Sequence, residues 1–248
     1  TPLKIAVIEA QTDAERSLAA TGDRALALSR NTVQALRGLG VFDAVEHQAA
    51  PIRRIHISDR GHFGQARLDA ADRGVEALGH VVVARGLEQS IAEAMGAEGA
   101  ITPFQPARIL SLKAGPESIL VSLRSGDQDR VISARLVVAA DGGNSTVRAL
   151  LNIPQTVRDY QQTAVVTEVS TSKDHQGTAF ERFTRSGPLA LLPLGPKRCS
   201  VVWTLTAEDA AEVLREGESE FVDQLQDAFG QWLGTLTLAR KPQGFPLK

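Results

Sequence analysis

The sequence predicts a mixed α/β fold, in which a partial doubly wound layer joins a mixed, largely antiparallel sheet with helices. Three observations predict it. Two short apolar runs, Leu3–Ala10 and Leu136–Ala140, each lead to an acid, Glu9 and Asp141. Such runs read as buried parallel strands that end where open α/β layers bind ligands. Residues 107–133 alternate apolar and polar between glycine-containing turns, which is an antiparallel meander. The C-terminal part alternates in further segments and then changes to a helical period.

Taken in order, Leu3–Ala10 is the first strand, and the small polar residues 11–22 are a loop. Ala27, Leu28, Val33, Leu36 and Leu39 recur at helical spacing, with Gly38 and Gly40 as the stop, so a helix is expected near 29–38. Ile52, Ile55 and Ile57 lead into Ser58-Asp59-Arg60-Gly61-His62, which is turn chemistry, and Phe63–Leu68 returns as the second strand of a hairpin. Val81–Val83 precedes a helix from Leu87 to Met95, with Gly96 as its stop. The meander turns at Ala114-Gly115-Pro116 and at Ser125-Gly126-Asp127. Strands follow near 161–170, 177–184, 188–193 and 198–205, helices near 207–215 and 218–229, and a last strand near 234–240 that runs toward Pro246. With no linker or repeat between them, two layers folded together are expected.

The 248 residues are enough for one large domain or two small ones. A hydrophobic share of 43% and a charged share of 23% exclude a disordered or collagen-like chain. A net charge of −2 lacks the basic footprint of nucleic-acid binding. With Cys199 the single cysteine, no intramolecular disulfide can form. No apolar run approaches the roughly 20 residues of a membrane span, and the start has no signal-peptide pattern. The one methionine is the internal Met95 and residue 1 is Thr, so the chain is expected to be a piece of a longer protein.

Glu9 ends its strand where a dinucleotide-binding unit places a carboxylate that accepts hydrogen bonds from the adenosine ribose; a solvated strand end is the duller reading. The partner motif, Gly-x-Gly-x-x-Gly, would fall upstream of Thr1, and Gly38/Gly40, Gly96/Gly99 and Gly142/Gly143 do not match its spacing. Asp141-Gly142-Gly143-Asn144-Ser145-Thr146-Val147-Arg148 follows the second apolar run. Its glycines permit close backbone approach, and Ser145 can cap a helix. The five histidines show no ligand spacing, so no metal site is expected. Cys199 reads as a small buried side chain and Trp203 as core. Alternation puts Phe180 and Arg182 on one face.

Asp141-Gly142-x-x-Ser145-x-Val147-Arg148 resembles the Asp-Gly fingerprint of flavin-dependent aromatic hydroxylases of the p-hydroxybenzoate hydroxylase group. Arg24-Ala25-Leu26-Ala27-Leu28 and Arg85-Gly86-Leu87-Glu88 look like two further segments of that group. Ile57–His62, Tyr160–Val166 and Ala179–Phe183, the last running on through Gly187-Pro188 to Leu194, are similar to the ubiquinone-biosynthesis hydroxylases. Within these, the likeness is to the branch that acts on 2-octaprenyl-6-methoxyphenol.

The resemblance implies a partial Rossmann-like FAD-binding layer, residues 1–50 and 81–150, and a substrate domain, residues 51–80 and 151–248. It implies that Glu9 binds the adenosine ribose of FAD, that Arg24 and Arg85 lie near its pyrophosphate and ribityl chain, and that Asp141 and Gly142 lie by the pyrophosphate with Arg148 in support. The expected substrate pocket is Phe180, Arg182, Pro188 and Trp203. The implied reaction has NAD(P)H as co-substrate: it reduces the flavin, oxygen adds as a flavin hydroperoxide, and the ring of a polyprenylated phenol takes the oxygen atom. Partners would be that phenol, molecular oxygen and a ubiquinone-biosynthesis complex, at a cytoplasmic location with peripheral attachment to the membrane. The glycine-rich loop and the later flavin segment of the family are not in the chain, which by itself is expected to hold FAD poorly. Another ring position, a non-catalytic flavoprotein remnant and, with no family assumed, an NAD-dependent dehydrogenase remain as other readings.

Overall fold

The computed structural model describes residues 3–12, 14–15 and 23–248; the loop expected at 11–22 lies mostly outside them. In chain order the first strands are β1 (Ile5–Ile8), β2 (Ala25–Ser29), β3 (Ala50–Ile52), β4 (Arg54–Asp59), β5 (Gln65–Asp69), β6 (Gly79–Val83) and β7 (Ile101–Phe104). Then come β8 (Arg108–Ala114), β9 (Ile119–Ser125), β10 (Gln128–Ala134), β11 (Gln162–Thr171), β12 (Thr178–Phe183), β13 (Pro188–Gly195), β14 (Arg198–Thr206) and β15 (Leu236–Leu247). The helices are α1 (Arg30–Gly38), α2 (Phe42–Val45), α3 (Ala84–Ala97), α4 (Thr146–Leu150), α5 (Ala207–Val213) and α6 (Glu218–Phe229).

The chain divides into two compact units, residues 1–22 with 92–157 and residues 23–91 with 158–248. This departs from the expected division, which put 23–50 and 81–91 with β1. Pairing and burial are the reason. β2, β6 and β3 form their own antiparallel sheet, and its Ala50, Ile52 and Val81 bury against Ala179, with Ile55, Leu192 and Leu194 alongside. The apolar face of these strands thus has its partner in the second unit, not beside β1.

In the first unit, β1 pairs in parallel with β7, Ile5 opposite Ile101. The ladder runs on through Glu9, whose amide donates to the Phe104 carbonyl (3.0 Å) and whose carbonyl accepts from the Ala107 amide (2.7 Å). The expected parallel strand is present, yet it is not buried, with Ile5 44% exposed. β8, β9 and β10 form the expected meander. The strand expected over Leu136–Ala140 is not formed: Leu136 and Val138 are each 75% exposed. Apolar character makes a segment fit for a strand, but a ladder needs a partner for its backbone groups. Among the described residues β1 pairs only with β7.

The second unit is built on a seven-stranded sheet, order β15-β11-β14-β13-β12-β4-β5. It is antiparallel except where β4 meets β12 in parallel, Arg54 opposite Thr178 and Asp59 opposite Phe183. One face lies under α5 and α6. There Val165, Leu189, Leu191, Val201 and Trp203 pack against Val213, Phe221, Leu225 and Phe229, and each fully buried side chain of this size contributes about 1.5–3 kcal/mol of transfer free energy. The other face of the sheet receives the β2-β6-β3 sheet. Hydroxyl caps start three helices: Ser29 accepts from the Thr32 amide (3.2 Å), Ser145 from Arg148 (3.0 Å) and Thr206 from Asp209 (3.1 Å).

Candidate cofactor and substrate site

The site residues of the first unit sit on two turns. Glu9 ends β1, and its carboxylate accepts from the Gln11 amide (2.7 Å), which leaves further lone pairs open to hydroxyl donors. Asp141 accepts from Ser145 Oγ (2.5 Å) and from the Val147 amide (3.0 Å). The Ser145 and Val147 donors hold its carboxyl below the usual carboxylate range. Arg148 turns back to donate to the Gly143 carbonyl (2.5 Å). Asp141 and Arg148 thus hold a closed turn on which the Gly142 and Gly143 backbone is exposed. Gly142 has φ +79° and open space where a Cβ would stand. That is the conformation in which glycine lets a ligand approach the chain.

In the second unit the β2–β6 ladder puts Arg24 and Arg85 at the same end of the sheet: the Ala84 amide donates to the Arg24 carbonyl (2.9 Å), just past the Ala25–Val83 pair. Arg85 Nε and Nη2 donate to Asp23 Oδ1 (3.1 and 2.9 Å). The other Asp23 oxygen meets Arg240 at 3.2 Å, Arg240 lies 3.5 Å from Glu168, and Glu168 pairs with Arg198. Charges therefore alternate from Arg85 inward to the buried Glu168. A buried acid held between two guanidinium groups is satisfied rather than stranded. Sequence reasoning missed Asp23, Glu168, Arg198 and Arg240. Asp23 stood beside a named arginine and could have been found, whereas Arg240 reaches Asp23 only through the fold.

Phe180, Arg182 and Trp203 share the helix-covered face, and Pro188 belongs to the opposite one, because cross-strand partners share a face and neighbours alternate. These four residues do not line one surface as expected. Trp203 is core, set edge-on to Phe221 at 6.2 Å. Arg182 donates from Nη1 to the Phe229 carbonyl (3.0 Å), and Phe180 packs edge-on against Phe229 at 5.5 Å. Cys199 is fully buried, and burial with the nearby Asp174 pushes its thiol up to about 12, so it is no nucleophile.

The face away from α5 and α6 carries a half-buried row across five strands: Ile57, Glu181, Ala190, Val202 and Val166. Glu181 is its one ionisable group. It has no hydrogen-bond or ion-pair partner among the described residues, and burial pushes its carboxyl up. The same face bears Glu168 and its arginines.

Guanidinium groups such as those of Arg85 and Arg240, which meet at Asp23, suit phosphate oxygens, an open glycine backbone suits pyrophosphate, and a carboxylate at a strand end suits ribose hydroxyls. Each of these sets, taken within its own unit, has the chemistry of one part of a flavin dinucleotide. The chain belongs to the FAD binding domain family, which matches residues 4–242. Within reach of that class, it is 32% identical to the ubiquinone hydroxylase UbiL of Rhodospirillum rubrum over 94% of this chain and 53% of UbiL. It is 31% identical to the 3-demethoxyubiquinol 3-hydroxylase of Escherichia coli over 82% of this chain and 50% of that protein. The chain thus spans about half the length of these relatives. The fold is that of Pseudomonas aeruginosa PqsL, solved with 2-aminobenzoylacetate, with TM-score 0.78, 21% identity, and 98% of this chain and 67% of PqsL covered.

Proposed function

We propose that the protein to which this chain belongs is an FAD-dependent monooxygenase that hydroxylates the ring of a polyprenylated phenol, with NAD(P)H and molecular oxygen as co-substrates. The observation that carries this reading is the half-buried apolar row in which Glu181 is the one ionisable group, on the same sheet face as Glu168 and its arginines. An apolar ledge suits an aromatic ring. An unpaired carboxyl with a raised proton affinity suits a phenolic hydroxyl, which it can meet by a hydrogen bond. FAD, when bound and reduced, supplies the oxygen-activating chemistry. The residues of the chain bind and orient. Arg24 and Arg85 would neutralise the pyrophosphate, Glu9 would accept from the ribose, and the Gly142 backbone would face the dinucleotide. Asp23 and Arg240 hold Arg85 in place, and the aliphatic row keeps water from the ring.

The ring position proposed is that of the 2-octaprenyl-6-methoxyphenol hydroxylases. Another position of the same ring is the second reading, supported by the 31% identity to the Escherichia coli 3-hydroxylase. No helix of the described residues is long and apolar enough to cross a membrane; we propose peripheral attachment or a biosynthetic complex as the route to a membrane-dissolved phenol. Product analysis after complementation of strains that each lack one ring hydroxylase tests the proposal. The expected result is restored hydroxylation in one strain. Failure of the full-length protein to take up a yellow chromophore from FAD would sink the reading.

A further inference from the structure

We propose that the tip of the β4–β5 hairpin is a membrane-docking edge that inserts among the headgroups of an anionic bilayer. The inference rests on the reading of a membrane-dissolved substrate and names the surface that would reach it. The parallel pairing of β4 with β12 puts two connections at one end of the sheet. Phe183 stands opposite Asp59, and the Arg60 amide donates to the Phe183 carbonyl (2.9 Å). The tip at 60–64 and the turn at 184–187 therefore lie side by side.

The tip reads Arg60-Gly61-His62-Phe63-Gly64. Gly61 and Gly64 take φ +87° and +131°, and the turn they make leaves Phe63 fully exposed. Phe183, at the neighbouring strand end, is 47% exposed. Exposed aromatic rings gathered at one edge mark a contact surface.

The charges around them are mostly positive. Arg60 pairs with Asp227 of α6 (2.7 Å) and His62 with Asp59 (3.1 Å). Arg67 bonds only the neutral Gln65 and His56, and Arg185 has no carboxylate partner among the described residues. Aromatic rings at headgroup depth with uncompensated arginines nearby are the chemistry of an interfacial anchor on anionic lipid. The Arg60–Asp227 pair fastens the tip to α6, so the anchor is held by the folded unit.

The test is co-sedimentation of the chain with phosphatidylcholine vesicles, with and without phosphatidylglycerol. Binding to the anionic vesicles is expected, weakened about tenfold by Phe63→Ser, as loss of a partly inserted phenyl ring predicts. Arg185→Gln should weaken it further and reduce its salt dependence, and thermal melts should show both variants folded. Phe63→Trp should give a tryptophan emission that shifts to the blue when anionic vesicles are added. The proposal is overturned if the chain ignores both kinds of vesicle, if Phe63→Ser binds as well as the parent sequence, or if the Phe63→Trp emission does not move. Flavin and turnover do not enter these measurements, so their failure is distinguishable from failure of the hydroxylase reading.

Discussion

Arg85 shows how much of a binding residue lies in its support. Its Nε and Nη2 are committed to Asp23, which Arg240 braces from the other side. Charge-assisted hydrogen bonds contribute about 1.5–3 kcal/mol, so Arg85→Ala should weaken FAD binding by the full-length protein roughly 10- to 100-fold in a fluorescence titration. Asp23→Asn keeps the shape and loses the charge, and it should weaken binding less. Glu181 makes the opposite kind of statement. A partly buried carboxyl with no partner opposes folding wherever it is charged. Its raised folded-state affinity for protons means that stability falls as pH rises from the ordinary value of 4.5 through the folded one. Glu181→Gln removes that loss and should raise the melting temperature at pH 7 while hydroxylation drops; unchanged turnover would dismiss Glu181 from the site. His56 carries a third prediction. Burial, then Arg67 and Arg182, hold its proton affinity down. The unfolded chain therefore takes up the proton first, and stability falls as pH drops below about 6.5 toward the lower folded value. His56→Gln should flatten that slope in urea titrations across the same range. Asp141, Arg24 and Arg85 could be nominated because they sit in short strings. Glu168 and Arg240 were not, because 73 residues separate Thr167 from the Arg240 carbonyl that it bonds, and no local pattern records such a pairing.

Among the elements, those announced by periodicity or turn chemistry were read well. The meander, the β4–β5 hairpin, α1, α6 and the four strands from β11 to β14 lie close to their expected bounds. The losses share a cause. β2 was hidden because Ala25–Ser29 runs straight into α1, so its leucines fed a helical count. β7 is a four-residue strand interrupted by Pro103, and it exists because β1 offers it a ladder. Leu136–Ala140 had the composition of a strand without such a ladder. Tight contacts between elements also escape a linear reading. A Cβ on Gly79 would stand 2.3 Å from the Leu28 carbonyl. Gly79→Ala should therefore push β2 from β6 at its Ser29 end and cost about 1–3 kcal/mol or more in chemical denaturation. Ser145 is buried and caps α4, so Ser145→Ala should cost about 1 kcal/mol in chemical denaturation.

Across the whole molecule the two units differ in how well they bury apolar side chains. The second holds the large core under α5 and α6. In the first, the fully buried side chains among the described residues gather around Val121 and Leu123, while Leu3, Ile5, Leu136 and Val138 face outward. Opening free energy follows burial, so the amides of β11 and β14 should be the slowest to exchange with deuterium, and those of β1 among the fastest.

The parallel pair of β4 with β12 also sets a timetable for synthesis. β4 and β5 leave the ribosome early, but the strand that must lie beside β4 follows roughly 120 residues later, which at ~5–20 residues per second is roughly 6–24 s. For that interval a finished hairpin waits with a bare edge on β4. Arg54 and Asp59 stand on that edge, and Arg67 and Asp69 on the strand beside it. Charges so placed discourage a waiting strand from pairing with a neighbouring nascent chain. A polysome carrying this message would be protected by the charged strands of the same hairpin whose tip carries the exposed Phe63.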